Sequence, residues 1–172
     1  MLRRSGFTLL EAIVSLSVLS IMLAVALPAF RALLDHQRTS STLSSLVSQA
    51  SLARLAAVKY RRPTILCPSA NGTRCNSDGD WSTGWILFID HGDRRGPASP
   101  SHVLRTEPSP ASRHLRVQSW GRNHLRYLPD GRSSGSNLTL RVCTQAGQQL
   151  GAVIVNNAGR PRVERGAGGN CR

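Results

Sequence analysis

At 172 residues the chain is long enough for one globular domain with an appendage and too short for several. Aromatic residues make up only 5%, so any core must be mainly aliphatic. The formal charge is +13, two less without Arg3 and Arg4, and it is almost all arginine, Lys59 being the single lysine. Outside the cytoplasm such a charge favours a polyanion (nucleic acid, lipid headgroups or a cell-surface polymer), or else it balances acidic neighbours in an assembly; charge alone does not choose.

The chain starts Arg3-Arg4-Ser5-Gly6-Phe7-Thr8-Leu9-Leu10-Glu11, and an apolar run follows to Pro28. Between Phe7 and Phe30 the only charge is Glu11. That run is long enough to cross a bilayer core as a helix, which takes about 20 residues. The preceding arginines predict a cytoplasmic N-terminus, with everything after Pro28 on the far side. A secretory signal would place its small-residue cleavage site after the apolar core. Here Ser5-Gly6 precedes the core, so a cut there leaves the hydrophobic helix on the mature chain. A carboxylate inside such a helix costs roughly 3 kcal/mol on insertion scales, which makes Glu11 a functional candidate. The basic leader, Gly6, Phe7-Thr8-Leu9-Leu10-Glu11 and the helix with Pro28 resemble the class III signal of type IV pilins and pseudopilins. The resemblance implies cleavage after Gly6 by a prepilin peptidase and N-methylation of Phe7. It implies too that Glu11 answers the N-terminal amine of a neighbouring subunit during filament assembly, so that other pilins are partners.

Beyond Pro28 the pattern predicts a continuing, now amphipathic helix. Leu43, Leu46, Val47, Ala50, Ala53 and Ala57 recur at three- and four-residue steps and stack on one face. Pro28 lacks an N–H and predicts a kink or local melting. Arg61-Arg62-Pro63 predicts the helix end, because the residue before proline is pushed out of α space. Short strands are expected next: Thr64 to Cys67, Trp85 to Ile89, Val103-Leu104, Leu115 to Trp120 and Leu125 to Leu128. Leu138, Leu140 and Val142 alternate with Thr139, Arg141 and Cys143 as in a half-buried strand. Gly151 to Val155 is another strand, Asn156 to Gly159 a turn, and Arg160 to Glu164 a strand kept at a sheet edge by Pro161. The stretches from Arg94 to Ser101, Pro108 to Ser112 and Pro129 to Ser136 read as loops.

Cys67, Cys75, Cys143 and Cys171 form an even set in a segment expected outside the membrane, a context that permits disulfides. Three pairings are possible. Cys67 with Cys75 would close a short loop around the turn signal Asn71-Gly72, and Cys143 with Cys171 would then tie the C-terminal tail to a strand. Zinc is the competing use, but the spacings are too long for Cys-x-x-Cys and no histidine pair stands nearby.

The segment from Cys67 to Cys75, followed by Trp81 and by Gly84 to Asp90, resembles the GspH/FimT group of minor pilins and pseudopilins. The resemblance covers most of the chain, from the leader to Gly159-Arg160-Pro161-Arg162. It implies an α+β fold, a long N-terminal α-helix packed on a C-terminal antiparallel β-sheet head. The expected organisation is a leader over 1–6, a pilin helix over 7–60 (membrane-spanning to about 28, amphipathic from 29 to 60) and a β-rich head over 61–172.

Catalytic constellations are lacking. Gly131-Arg132-Ser133-Ser134-Gly135 matches a nucleophile elbow on paper, but it lacks the preceding strand and following helix. The histidines at 36, 91, 102, 114 and 124 show no spacing to a nucleophile. Asn76, Asp78 and Asp80 fall short of a calcium loop, and a β-turn explains them as well. No enzyme, cofactor or metal is expected.

The C-terminal strand carries the clearest binding chemistry. Arg160 and Arg162, two apart, should share a face about 6–7 Å apart. Guanidinium groups bind phosphate through paired, charge-assisted hydrogen bonds. Arg165 and Arg172 add charge, Glu164 partly offsets Arg162, and a Cys143–Cys171 bridge would hold the segment. The Gly-Arg-x-Arg close resembles one linked to DNA capture in competence-associated FimT-type pilins. A second basic source runs from Arg94 to Arg141, where Arg116, Arg122, Arg126 and Arg132 are candidates to flank the same groove. Trp120 and Tyr127 are available to stack a base, but read better as core aromatics. The expectation is a minor type IV pilin, in the inner membrane with a periplasmic head before assembly into an extracellular pilus, that binds the DNA phosphate backbone without sequence preference for uptake in natural transformation. The alternative is a minor pseudopilin of a type II secretion system contacting secreted proteins.

Overall fold

The computed structural model describes residues 8–92, 96–108, 114–166 and 168–171. Gly6 and Phe7, the stretches 93–95 and 109–113 of the expected loops, and Arg172 lie outside the described residues. The chain divides into two units, residues 1–37 and 38–172, and helix α1 (Leu9–Tyr60) contributes to both. It begins as an N-cap predicts, with the Glu11 backbone N–H donating to Thr8 Oγ1 at 3.3 Å. Pro28, expected to kink or melt the helix, lies inside an unbroken helical run. It removes one ladder donor, and the strong helix formers around it keep the turns on either side. In the first unit the apolar side chains from Leu9 to Phe30 are exposed, and the helix is long and apolar enough to cross a membrane.

In the second unit α1 turns its periodic face inward. Leu43, Leu46, Ala50, Ala53 and Ala57 are buried, with Val47 packed at the margin. The alanines keep that face thin, so a sheet can approach the helix backbone; Thr64 Oγ1 donates to the Ala53 carbonyl at 2.8 Å. After Tyr60 the chain leaves the helix through Arg61, which adopts a left-handed φ of 51° before Arg62-Pro63.

The head consists of two antiparallel four-stranded sheets. The first has the order β3-β2-β1-β5, from β1 (Thr64–Pro68), β2 (Gly84–Ile89), β3 (Val103–Pro108) and β5 (Leu125–Tyr127). The second has the order β4-β6-β7-β8, from β4 (Leu115–Trp120), β6 (Leu138–Thr144), β7 (Gln149–Val155) and β8 (Pro161–Arg165). Each expected strand is present, with small shifts: β3 runs on to Pro108, β7 starts at Gln149, and β8 begins one residue after Arg160.

Alternation places the core. Leu66, Trp85, Leu87, Leu125 and Tyr127 of the first sheet join Leu115, Val117, Leu138, Leu140, Val142, Val153 and Val155 of the second against α1. Ile65, Cys67, Ile86 and Phe88 form a smaller cluster on the other face of the first sheet, with Cys75 packed on it. Cys67 is bonded to Cys75, and Cys143 to Cys171. Within the first loop Asn71 Oδ1 accepts from the backbone N–H of Thr73 (3.0 Å) and of Arg74 (3.2 Å), the side-chain turn its sequence predicts.

Candidate nucleic-acid interface on the C-terminal sheet

The turn from Asn156 to Gly159 launches β8. Gly159 N–H donates to the Asn156 carbonyl (2.9 Å), and Arg160 N–H donates to Asn156 Oδ1 (3.2 Å). Gly159 has φ +76°, and a Cβ there would lie 2.3 Å from the Gly131 carbonyl oxygen and 2.9 Å from the Tyr127 ring. Only glycine meets both demands. The loop beneath is fixed in turn. Tyr127 Oη donates to the Gly159 carbonyl (3.2 Å), Arg54 Nε to the Gly131 carbonyl (2.9 Å), and Ser133 N–H to the Asn157 carbonyl (3.0 Å). Arg122 donates to the Ser134 carbonyl and to Ser133 Oγ. Burial lowers the pKa of this guanidinium and pushes the Tyr127 phenol up to about 12. The stretch from Pro129 to Ser136, read as a loop, is therefore a docked support, with Ser133 buried rather than raised on an elbow.

Strand β8 forms one edge of its sheet. Val163 stands opposite Val153 and Arg165 opposite Gly151, which puts them on the side facing the core. Arg162, opposite Ile154, and Glu164, opposite Ala152, point to the outer face. Arg162 Nη2 lies 3.1 Å from Glu164 Oε1, with both side chains largely exposed. Such a pair is worth about 0–1 kcal/mol, so it is easily exchanged for another anion. Arg160 precedes the ladder, is exposed, and has no side-chain partner among the described residues. Three expected positions thus separate: Arg160 on the turn, Arg162 on the outer face and Arg165 on the opposite face. The Cys143–Cys171 bridge does not hold Arg160 or Arg162: the turn places the first and the β7 ladder the second. It pins the tail at the far end of the sheet, where Cys171 N–H donates to the Gly147 carbonyl (2.9 Å) and Gln149 N–H to the Gly169 carbonyl (3.0 Å).

The second basic source does not form one groove. Arg126 Nε is bound to the buried Asp90 carboxylate at 2.9 Å, and Arg122 serves the loop. Arg132 Nε meets Asp130 at 2.6 Å, and its backbone N–H and guanidinium together hold that carboxyl below its usual range. Arg116 remains on the outer face of β4. Tyr127 is a core residue as expected, but Trp120 is not: it is 57% exposed, with the Arg141 guanidinium 4.7 Å above its ring. His91 and His102, distant in sequence, stack at 3.9 Å with Arg62 3.3 Å from His91 Nδ1. Among the described residues no group of three or more His, Cys, Asp or Glu is placed to hold a metal. Asp78 and Asp80 accept from the backbone N–H groups of Asp80 and Ser82 in successive turns.

Residues 42–159 match the family described as type II transport protein GspH. The chain belongs to the GspH family. Residues 1–27 match the prokaryotic N-terminal methylation motif. Together these make the chain a minor pilin or pseudopilin of the GspH/FimT type, with a motif and an apolar helix that fit membrane anchoring and pilus assembly. The fold is similar to two crystal forms of the type IV minor pilin FimU of Pseudomonas aeruginosa. One is 20% identical, with a TM-score of 0.61 over 77% of this chain and 99% of that one. The other is 19% identical, with a TM-score of 0.62 over 79% of this chain and 98% of that one. No curated protein sequence matches the chain.

Proposed function

We propose that this GspH-family chain is a minor type IV pilin that takes part in pilus assembly and binds DNA without sequence preference for uptake. Residues 1–6 are the leader, removed after Gly6. The helix spans the inner membrane over about residues 7–28, and the head, residues 61–172, faces the periplasm before entering an extracellular filament. Phe7 carries the methylated amine and Glu11 answers a neighbour's amine. DNA phosphates are held by Arg160 and Arg162, with Arg165 contributing from the opposite face. The observation that carries this reading is an exposed edge strand whose arginines follow a turn fixed from beneath by Tyr127 and Gly131. Preorganisation of this kind lowers the ordering cost of binding.

The test is DNA binding by the full-length protein in neutral detergent, against Arg160→Gln/Arg162→Gln, across a salt series. Loss of two phosphate contacts should weaken binding and reduce the salt slope by about 2 on duplex DNA. Equal affinity and equal slope for both proteins would remove the site. The second reading, a minor pseudopilin of a type II secretion system contacting secreted proteins, is favoured by the description of the matched family. Absence of binding by the wild-type protein at low salt would select it.

A further inference from the structure

The outer face of the second sheet carries an aromatic site that phosphate binding does not use. In β4, Leu115 and Val117 point into the core, so Arg116, Gln118 and Trp120 point outward. Trp120 pairs with Thr139, Thr139 with Ile154, and Ile154 with Arg162. Trp120 and Arg162 therefore end one row on one face, three strand spacings or about 14 Å apart. Arg160 precedes the same end of β8.

Trp120 is 57% exposed, while Trp81 and Trp85 are 0% and 1% exposed. One side of its ring is backed by Arg141, whose guanidinium lies 4.7 Å from the ring centroid. Arg141 Nη1 also donates to the Asn170 carbonyl at 3.3 Å, and the adjacent Cys171 is bonded to Cys143. The tail disulfide thus steadies the cation that backs the ring. With its amide oriented by its neighbours, Gln118 accepts from Arg116 Nη2 (2.8 Å) and donates to the Cys171 carbonyl (3.2 Å). A cavity of about 140 Å³, lined in part by Arg116, Gln118, Thr144 and Gly147, opens beside them. Among the described residues of the sheet's own strands, Arg116, Arg141 and Arg162 stand on this face with the carboxylate of Glu164, which Arg162 already engages. The backbone of Asp80 bridges Gln118, but its carboxylate accepts from Ser82 N–H.

A rigid aromatic ring beside fixed guanidinium groups suits a nucleobase followed by its phosphate. We infer that Trp120, backed by Arg141, is a base-stacking site, and that the DNA this face prefers is single-stranded. The inference rests on the DNA-binding reading of β8 and names its substrate. In a duplex the base faces are stacked on one another, so phosphates, sugars and groove edges are offered but no free base face. A site made of arginines alone would hold a duplex at least as well, because its charge density is higher.

The test uses the full-length protein in neutral detergent with a thymidine oligonucleotide of about 12 nucleotides, within the usual single-strand site size, and a duplex of equal length. Since the other two tryptophans are buried, quenching of exposed tryptophan fluorescence reports Trp120. The single strand should quench it and bind more tightly than the duplex. Trp120→Ala should weaken single-strand binding roughly tenfold or more and leave duplex binding unchanged, while Trp120→Phe should restore most of the affinity. Unquenched fluorescence with unchanged single-strand affinity in Trp120→Ala would overturn the inference. If Arg160→Gln/Arg162→Gln still abolished binding, the β8 reading would stand without it; no binding by the wild type would remove both. Loss of pilus assembly in Trp120→Ala, with DNA binding intact, would assign the face to a neighbouring subunit and also overturn it.

Discussion

Substituting Gly159 by alanine separates the two halves of the Gly-Arg-x-Arg sequence. The residue sits at φ +76°, where an L side chain costs about 1–2 kcal/mol. The added Cβ would stand 2.3 Å from the Gly131 carbonyl oxygen, a backbone atom that cannot swing aside, so the turn must lift from the loop. Lifting it breaks the 3.2 Å bond from Tyr127 Oη and leaves a buried hydroxyl unpaired, worth about 1–3 kcal/mol more. The expected destabilisation is on the order of 2–5 kcal/mol, a fall in melting temperature of roughly 8 °C or more for a head of this size. Thermal unfolding of the full-length protein in neutral detergent, followed by the fluorescence of the buried Trp81 and Trp85, measures it. Arg160→Gln/Arg162→Gln, being exposed, should stay within about 0.5 kcal/mol of wild type. A Gly159→Ala protein as stable as wild type but unable to bind DNA would refute the reasoning, because the glycine would then serve the ligand and not the fold.

Other consequences concern the supports of the head. Tyr127 is raised by burial from 10.0 to about 12. The unfolded chain therefore loses this proton first as pH rises above 10: stability is fully present below pH 10 and declines towards pH 12 by up to about 3 kcal/mol. Tyr127→Phe should show a shallower alkaline fall in melting temperature, and identical slopes would remove the assignment. Asp90→Ala strips the partner from Arg126 and should destabilise by about 2–4 kcal/mol without changing DNA affinity, as parallel melting and binding assays would show. Replacing Cys143 and Cys171 by serine opens a longer loop (separation 28) than replacing Cys67 and Cys75 (separation 8). The first should cost about 3–4 kcal/mol and the second about 2–3 on the chain-entropy account; the reverse order of melting temperatures would show that local strain decides.

Much of this fold was legible because its signals are local. The inward face of α1 follows from steps of three and four, and β6 from the alternation of Leu138, Leu140 and Val142. Two site features were equally legible but needed parity to be carried through. Leu115 and Val117 point inward, so Trp120 must point outward, although a large apolar residue invites a core assignment. Arg162 and Arg165 are an odd number of residues apart, so one strand cannot show both on one face. Other features were out of reach. The bond between Arg126 and Asp90 spans 36 residues, and the contact of Gly159 with Gly131 depends on how two loops meet. No periodicity records such meetings.

On the proposed DNA-binding reading, the division between support and ligand chemistry falls at one peptide bond. Residues matched to the GspH family end at Gly159, whose carbonyl, φ angle and missing Cβ are all demanded by buried neighbours. Arg160 follows at once, exposed and without a side-chain partner among the described residues. Beyond it Pro161 withholds an N–H, and Arg162 and Glu164 place charge on a strand edge that would otherwise template pairing with other chains. Charge is thus tolerated on β8 for the stability of the sheet alone, and its sign and number can vary at little cost to folding. If the proposed reading holds, a scaffold arranged this way changes what it touches when Arg160 and Arg162 change, while Gly159, Tyr127 and Gly131 keep the strand in place.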